Sequence, residues 1–348
     1  MPSPFGPRQR SNGVSDEGGL AVDVQTAMDR AALEDKAALD TYRTLRAGLV
    51  AVGVLLAVGL IVHIVRSGGR VPGSISATFY ADDLRGIFVA TLLAVGLALV
   101  AVKGRPGPEN TLLDIAGVLI PVVGFVPTPI ADPSCPVPGR DCVPVTLHPA
   151  IDTNMWAYLS AGAVALIVAG LRMWYVRSST PWSASTRTGL AVVAALWVVY
   201  AGAYAFVRPV FIQYAHYTSA ISFFLLLIAV VWINGRNSLG VNDLADLSGT
   251  TYRRIYRIIA IVMLVAVGVG VVAFIVTGQQ NAVVDDRFPV VFWVEAVLLA
   301  LFVTYWVFQT VELWFFTLPP QVAPSSPGSP APAPAVDPPT PPSAAASS

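Results

Sequence analysis

Charge is scarce in this chain. Asp, Glu, Lys and Arg make up 12% of its 348 residues, about half the share usual in a soluble domain. Hydrophobic residues reach 55% and mean hydropathy is +0.66. Together these exclude an ordinary soluble fold and indicate a polytopic, all-α membrane bundle. The 21 basic residues balance the 21 acidic ones. No global basic surface exists for nucleic acid, so the expected partner is the lipid bilayer. Cysteine and histidine are scarcer still, two and three residues respectively. That excludes an iron–sulfur cluster held by four cysteines and any metal centre with more than three histidines. The phosphate-loop GxxxxGK[ST], zinc-protease HExxH and serine-hydrolase GxSxG patterns are all missing. No signal peptide opens the chain, because the first apolar run begins near Ala47. That first span is expected to act as its own targeting signal. The abundance of Ala, Val and Gly fits a high-GC bacterial source.

What is present is a series of apolar runs. A span needs roughly 17–25 residues at 1.5 Å rise. Eight stretches are candidates: 47–65, 86–102, 111–126, 155–176, 189–207, 217–233, 255–276 and 288–316. The third is short and contains Pro121, and proline inside a membrane helix is tolerated where neighbours satisfy the freed carbonyl. Charge settles whether it counts. With eight spans and a cytoplasmic N-terminus, Arg66, Arg70, Arg85, Arg140, Arg208 and Arg287 fall outside, leaving 15 of the 21 basic residues inside. Dropping the third span inverts everything after it and gives a near-even 11 to 10. The positive-inside rule therefore favours eight spans with both termini cytoplasmic, as expected of a plasma-membrane protein.

The cysteines agree with that sidedness. Cys135 and Cys142 lie in the loop between the third and fourth spans, with two prolines and a glycine between them. A short, closable loop outside the membrane is where a disulfide forms and persists. Before the first span, residues 1–21 are expected to be disordered and 22–46 to form a cytoplasmic helix. The loop before the seventh span ends Thr251-Tyr-Arg-Arg-Ile-Tyr-Arg257, an anchor for anionic headgroups at the inner boundary. Residues 317–348 form a Pro/Ala/Ser tail with eleven prolines, too many to pack a core, and are expected to be disordered.

The densest polar stretch between two spans is Gly73-Ser-Ile-Ser-Ala-Thr-Phe-Tyr-Ala-Asp-Asp-Leu-Arg85. Ser74, Ser76, Tyr80, Asp82, Asp83 and Arg85 are its candidate site residues. Ser74, Ser76, Thr78 and Tyr80 alternate, as in an extended or re-entrant segment. Asp82 and Asp83 also suit a helix start, where a carboxylate meets unpaired N–H groups. On the same predicted side stand His63, His148, Asp152 and His216. Glu295 lies about two turns into the last span. An ionisable group there is a functional hypothesis by default, and Arg85, Tyr80 and His216 are its expected partners. Asp114, Gln309 and Glu312 read as interfacial residues of the opposite side.

Ser74-Ile-Ser-Ala-Thr-Phe-Tyr80, Glu109-Asn-Thr-Leu-Leu-Asp114, Gln213-Tyr-Ala-His-Tyr-Thr-Ser-Ala220 and Phe292-Trp-Val-Glu295 resemble uncharacterised multi-pass membrane proteins of actinobacteria, over residues 47–316. More distantly, the pattern is similar to the superfamily of alkaline ceramidases and progestin/adipoQ-type receptors, which hold zinc with a serine, an aspartate and three histidines. That resemblance implies analogous roles for Ser74 or Ser76, Asp82 or Asp83, and His216. Zinc is the one cofactor it implies, with Asp82 and His216 as candidate ligands. The group's late His-x-x-x-His pair has no counterpart, since no histidine follows His216. Three functions stay open: sensing or binding a lipid or partner at a polar outer-face cavity, small-molecule or ion transport using Glu295, and metal-dependent lipid hydrolysis.

Overall fold

The computed structural model describes residues 15–102, 108–137, 140–175, 183–237, 249–277 and 289–314. The expected Pro-rich tail and residues 1–14 lie outside them. Eight α-helices run through the described residues, each with a stretch long and apolar enough to cross a membrane. They are α1 (Ser15–Arg66), α2 (Asp82–Ala101), α3 (Pro108–Phe125), α4 (His148–Tyr175), α5 (Ala184–Phe206), α6 (Arg208–Asn237), α7 (Gly249–Thr277) and α8 (Val290–Trp314). No β-strand forms among the described residues. The one β-type feature is an isolated antiparallel bridge between Ile130 and Cys142.

The helices outrun their apolar cores, because helix start signals lie in the polar flanks. Helix α1 already includes Ser15 to Ala21, ahead of the expected Val22. It continues without a break into the first span, so the expected cytoplasmic helix and span 1 are one 52-residue helix. Pro149 and Pro209 stand in the first turns of α4 and α6. There a missing N–H costs nothing and the ring presets φ for the helix. Those helices therefore start seven and nine residues before the expected Met155 and Tyr217.

Six helices close on one another. Helix α1 packs on α2, α2 on α3, α3 on α6, α6 on α7, α7 on α8, and α8 back on α1. Inside this ring lies the main apolar cluster, including Leu56, Phe88, Leu99, Phe223, Leu227, Met263 and Phe302. Helices α4 and α5 stand outside it, with α5 against α3 and α6. On α4 only Ile151, Met155 and Leu159 are buried, all near one end. They join Val126, Tyr204 and Phe211 in a second apolar cluster.

Glycine sets the closest approach in the ring. A Cβ at Gly96 would stand 2.8 Å from the Gly117 carbonyl oxygen, and one at Gly117 would stand 2.7 Å from that of Gly96. Helices α2 and α3 cross here almost backbone to backbone, as small residues permit in membranes. Pro121 is part of the reason. It cannot donate to the carbonyl four residues back, which is that of Gly117, and its ring packs against Gly96.

The connections after α1, α3 and α5 and the C-terminal end of α7 share one end of the bundle. The loop after α3 brings Cys135 and Cys142 to disulfide-bonding distance, with Cα atoms 5.7 Å apart. This is the disulfide end below.

Candidate functional site

At the disulfide end the Gly73–Arg85 stretch folds inward. Residues Ser76–Tyr80 make a short 3-10 helix rather than an extended strand, and Thr78 and Phe79 are buried. The alternating hydroxyls therefore do not share one face. Ile75 and Phe79 join the ring's apolar cluster beside Leu60 and Leu84. The segment acts as a plug seated on the ring's core.

Glu295 holds the plug. Its carboxylate accepts hydrogen bonds from the Ile75 backbone N–H, from the Ser76 N–H at 3.2 Å and from the Ser76 hydroxyl at 2.9 Å. A 3-10 helix leaves its first N–H groups without internal partners, and here a carboxylate from a distant helix satisfies them. Ser74 adds a local cap, its Oγ accepting from the Ala77 N–H at 2.9 Å. These donors replace the expected partners of Glu295. Arg85 turns to the plug backbone, donating from Nε to the Phe79 carbonyl at 2.6 Å. Tyr80 donates to the Thr128 carbonyl at 2.8 Å, while Thr128 Oγ1 pairs with the Tyr217 hydroxyl at 2.7 Å. Burial pushes the Tyr80 phenol above its ordinary range, so it stays protonated and able to donate.

The remaining predicted site residues are not drawn to this latch. Asp82 is 94% exposed at its side chain and lies 3.2 Å from Arg85. Asp83 pairs with His63 at 2.9 Å. Both aspartates stand in the first turn of α2, but neither side chain caps it; the N-cap residue is Ala81. His216 is 2% exposed, and its Nδ1 lies 2.8 Å from the Val126 carbonyl, closing the end of α3. Asp82 and His216 thus face different environments. Among the described residues no three His, Cys, Asp or Glu side chains group as metal ligands. The implied zinc site does not fit this arrangement. Asp152 sits on α4 rather than in a loop, where Arg208 grips it with two bonds of 2.8 and 2.7 Å and Tyr204 also donates to it.

A second polar cluster lies at the opposite end, and it is buried rather than interfacial. Glu109 is 4% exposed and accepts from Asn234 Nδ2 at 3.2 Å. The same amide donates to the Tyr305 hydroxyl at 2.8 Å. Tyr256 donates to Gln309 Oε1 at 3.0 Å and to Glu312. Arg46, 2% exposed, donates to the Gln309 carbonyl at 3.3 Å and to the Tyr42 hydroxyl. Its guanidinium also lies over the Tyr42 and Trp306 rings, at 4.3 and 5.7 Å from their centroids. Five of the six ring helices contribute. The sequence carried a signal for this cluster, because Arg46, Glu109, Asn234 and Gln309 fall in register with the inward apolar stripes of their helices. Leu49 follows Arg46, Leu113 and Ala116 follow Glu109, and Leu298 and Phe302 precede Gln309 at helical spacing.

Between the two clusters the ring is lined by apolar side chains. Leu298 and Phe302 of α8, Phe223 and Leu227 of α6, and Met263 and Val267 of α7 are all buried in one apolar layer. No protein-family model matches the chain, and neither a curated protein nor a solved structure does.

Proposed function

We propose that this chain is a plasma-membrane sensor. The disulfide end faces outward, both termini lie in the cytoplasm, and binding at the outer face is reported to the inner end. One observation carries the reading: α8 is shared by both polar clusters. Glu295 latches the plug near its start, and Tyr305 and Gln309 belong to the buried network near its other end. Ten residues separate Glu295 from Tyr305, about 15 Å of helix. Releasing the latch frees one end of a rigid rod whose other end is hydrogen-bonded to three neighbouring helices, α1, α6 and α7. The apolar layer supports sensing over transport, which needs a polar path through the ring. Hydrolysis has no support from Ser74 or Ser76. Ser76 donates to Glu295, and the histidine needed to activate a serine is engaged with Val126.

The test places spin labels at Arg236 and Val311, exposed positions near the inner ends of α6 and α8. Glu295→Gln, made in full-length protein in nanodiscs, is expected to change the label-to-label distance distribution. An unchanged distribution, with the variant folded and its disulfide intact, refutes the sensing reading.

A further inference from the structure

The latch leaves unused a separate cavity of about 400 Å³ at the disulfide end. It lies between the Cys135–Cys142 loop and the start of α6, among Arg140, Asp141, His148, Val210, Gln213 and Tyr214. Its size falls in the range of small-ligand sites, roughly 300–1,000 Å³. The described ends of that loop are fixed three ways. Cys135 and Cys142 stand at bonding distance, Ile130 and Cys142 exchange both backbone bonds at 3.0 Å, and Gln213 donates to the Asp141 carbonyl at 3.0 Å.

Asp141 is the unusual member. It is 6% exposed, yet its carboxylate makes no hydrogen bond or ion pair among the described residues. Its oxygens are not sealed from the cavity it lines, and with no protein donor they take their partners from whatever fills that space. Its neighbour Arg140 is exposed on the rim and makes no side-chain ion pair among the described residues. His148, at the first residue of α4, is half-buried beside it. Tyr214 and Val210 are 50% and 57% exposed. In the membrane reading they put the cavity's open side at the edge of the lipid headgroups, where tyrosine is favoured.

We propose that this cavity binds a zwitterion with a primary ammonium group, taken by the Asp141 carboxylate, beside an anionic group taken by Arg140 and His148. Two sources share this chemistry: the headgroup of an ethanolamine phospholipid, and a free phosphorylated amine. A primary ammonium offers three N–H donors to a carboxylate, and a quaternary ammonium offers none. The site therefore discriminates by donor count as well as by charge. The inference deepens the sensing reading by naming its ligand class. The loop after α3 that borders the cavity is also tied to the plug, since Tyr80 donates to the Thr128 carbonyl and Thr128 Oγ1 pairs with the Tyr217 hydroxyl.

The experiment uses the full chain in nanodiscs lacking ethanolamine lipid. In one arm, calorimetric titration with O-phosphoethanolamine is expected to show saturable binding, at least tenfold tighter than with phosphocholine. In the other, native mass spectrometry with mixed phosphatidylethanolamine, phosphatidylcholine and phosphatidylglycerol is expected to show selective retention of the ethanolamine lipid. A positive result in only one arm identifies the source and supports the site. Asp141→Asn is expected to weaken binding at least tenfold, and Arg140→Gln is the second variant should the first fail to fold. Absence of binding in both arms, equal affinity for phosphocholine, or variants that bind like the parent would overturn the proposal. Binding that leaves the Arg236–Val311 distance unchanged supports the site and removes the sensing reading instead.

Discussion

The contact between Ser76 and Glu295 yields a coupling energy that can be worked out in advance. Ser76→Ala removes one of three donors to the carboxylate, a bond of 2.9 Å. Hydrogen bonds to charged groups contribute about 1.5–3 kcal/mol and neutral ones about 0.5–1.5. With Glu295 in place, Ser76→Ala should cost about 2 kcal/mol. With Gln at 295 the hydroxyl meets a neutral amide, and the same change should cost about 1 kcal/mol by the same scale. The difference, about 1 kcal/mol, is the expected coupling. The cost of Glu295→Gln alone combines two opposing contributions. The weakened bonds oppose the relief of no longer holding an ionisable group in the membrane. That relief is common to both rows of a double-mutant cycle and cancels from it. The assay is equilibrium unfolding in mixed micelles for the parent, the two single variants and the double variant, followed by tryptophan fluorescence. Strictly additive effects, within the roughly 0.3–0.5 kcal/mol expected of independent sites, would show that the latch does not stabilise the fold.

Gly117→Leu should prevent the α2–α3 crossing, since even a Cβ would stand 2.7 Å from the Gly96 carbonyl oxygen. Overpacking of this kind costs about 1–3 kcal/mol, seen as a lower melting temperature, whereas Gly170→Leu, which meets nothing within 4 Å, should be neutral. Burial pushes the Asp141 carboxyl above its ordinary value, so the folded state holds that proton more tightly than the unfolded state does. Stability linked to Asp141 is then full below the ordinary carboxylate range and is lost as pH rises through the raised folded-state value; melting of parent and Asp141→Asn should diverge as pH climbs above the ordinary carboxylate range, with the Asn variant the more stable at the higher pH. Arg236→Cys in intact cells should resist an impermeant thiol reagent applied from outside, and labelling there would invert the proposed orientation.

The architecture was legible because hydropathy and charge are one-dimensional signals. Eight apolar runs correspond to eight helices, and the short third run is a helix even with Pro121 inside it. Ends were less legible, since a helix stops where its capping and backbone bonds stop, not where its apolar core does. Glu295 stood out as a carboxylate within a span, and the Gly73–Arg85 stretch stood out as a polar island. That the two meet was not readable, because their contact joins residues about 220 positions apart through backbone N–H groups of a 3-10 turn. Sequence reasoning supplied side-chain partners for Glu295, and main-chain donors carry no residue label. The inner network was misjudged for a related reason. Arg46 lies just before the first apolar run and Gln309 near the end of the last, where polar groups are ordinarily interfacial, and only their register with the inward stripes separates burial from anchoring. Asp141 lay hidden among ordinary loop charges, since nothing local marks a carboxylate that the fold buries without a donor.

The latch energy also sets what a ligand must supply. A ligand shifts a two-state equilibrium only by the difference in its affinity for the two states. Moving the balance from 1:99 to 99:1 takes about 5.5 kcal/mol. Three hydrogen bonds to a carboxylate, at about 1.5–3 kcal/mol each before the cost of holding that group in the membrane, bring the plug's retention to the same order. One small zwitterion, whose best contacts are one ammonium–carboxylate and one guanidinium–anion pair, would sit near the threshold rather than far above it. Weakening the latch must then make the response easier. In Ser76→Ala, O-phosphoethanolamine should change the Arg236–Val311 distance at a midpoint concentration at least fivefold lower than in the parent. Of the roughly 2 kcal/mol that Ser76→Ala costs, the share of about 1 kcal/mol that is coupling to Glu295 already corresponds to that factor at 1.4 kcal/mol per tenfold. Intrinsic affinity at the cavity should stay the same, since Ser76 does not line it. If the midpoint does not move while the ligand still binds, the cavity and the latch are thermodynamically independent.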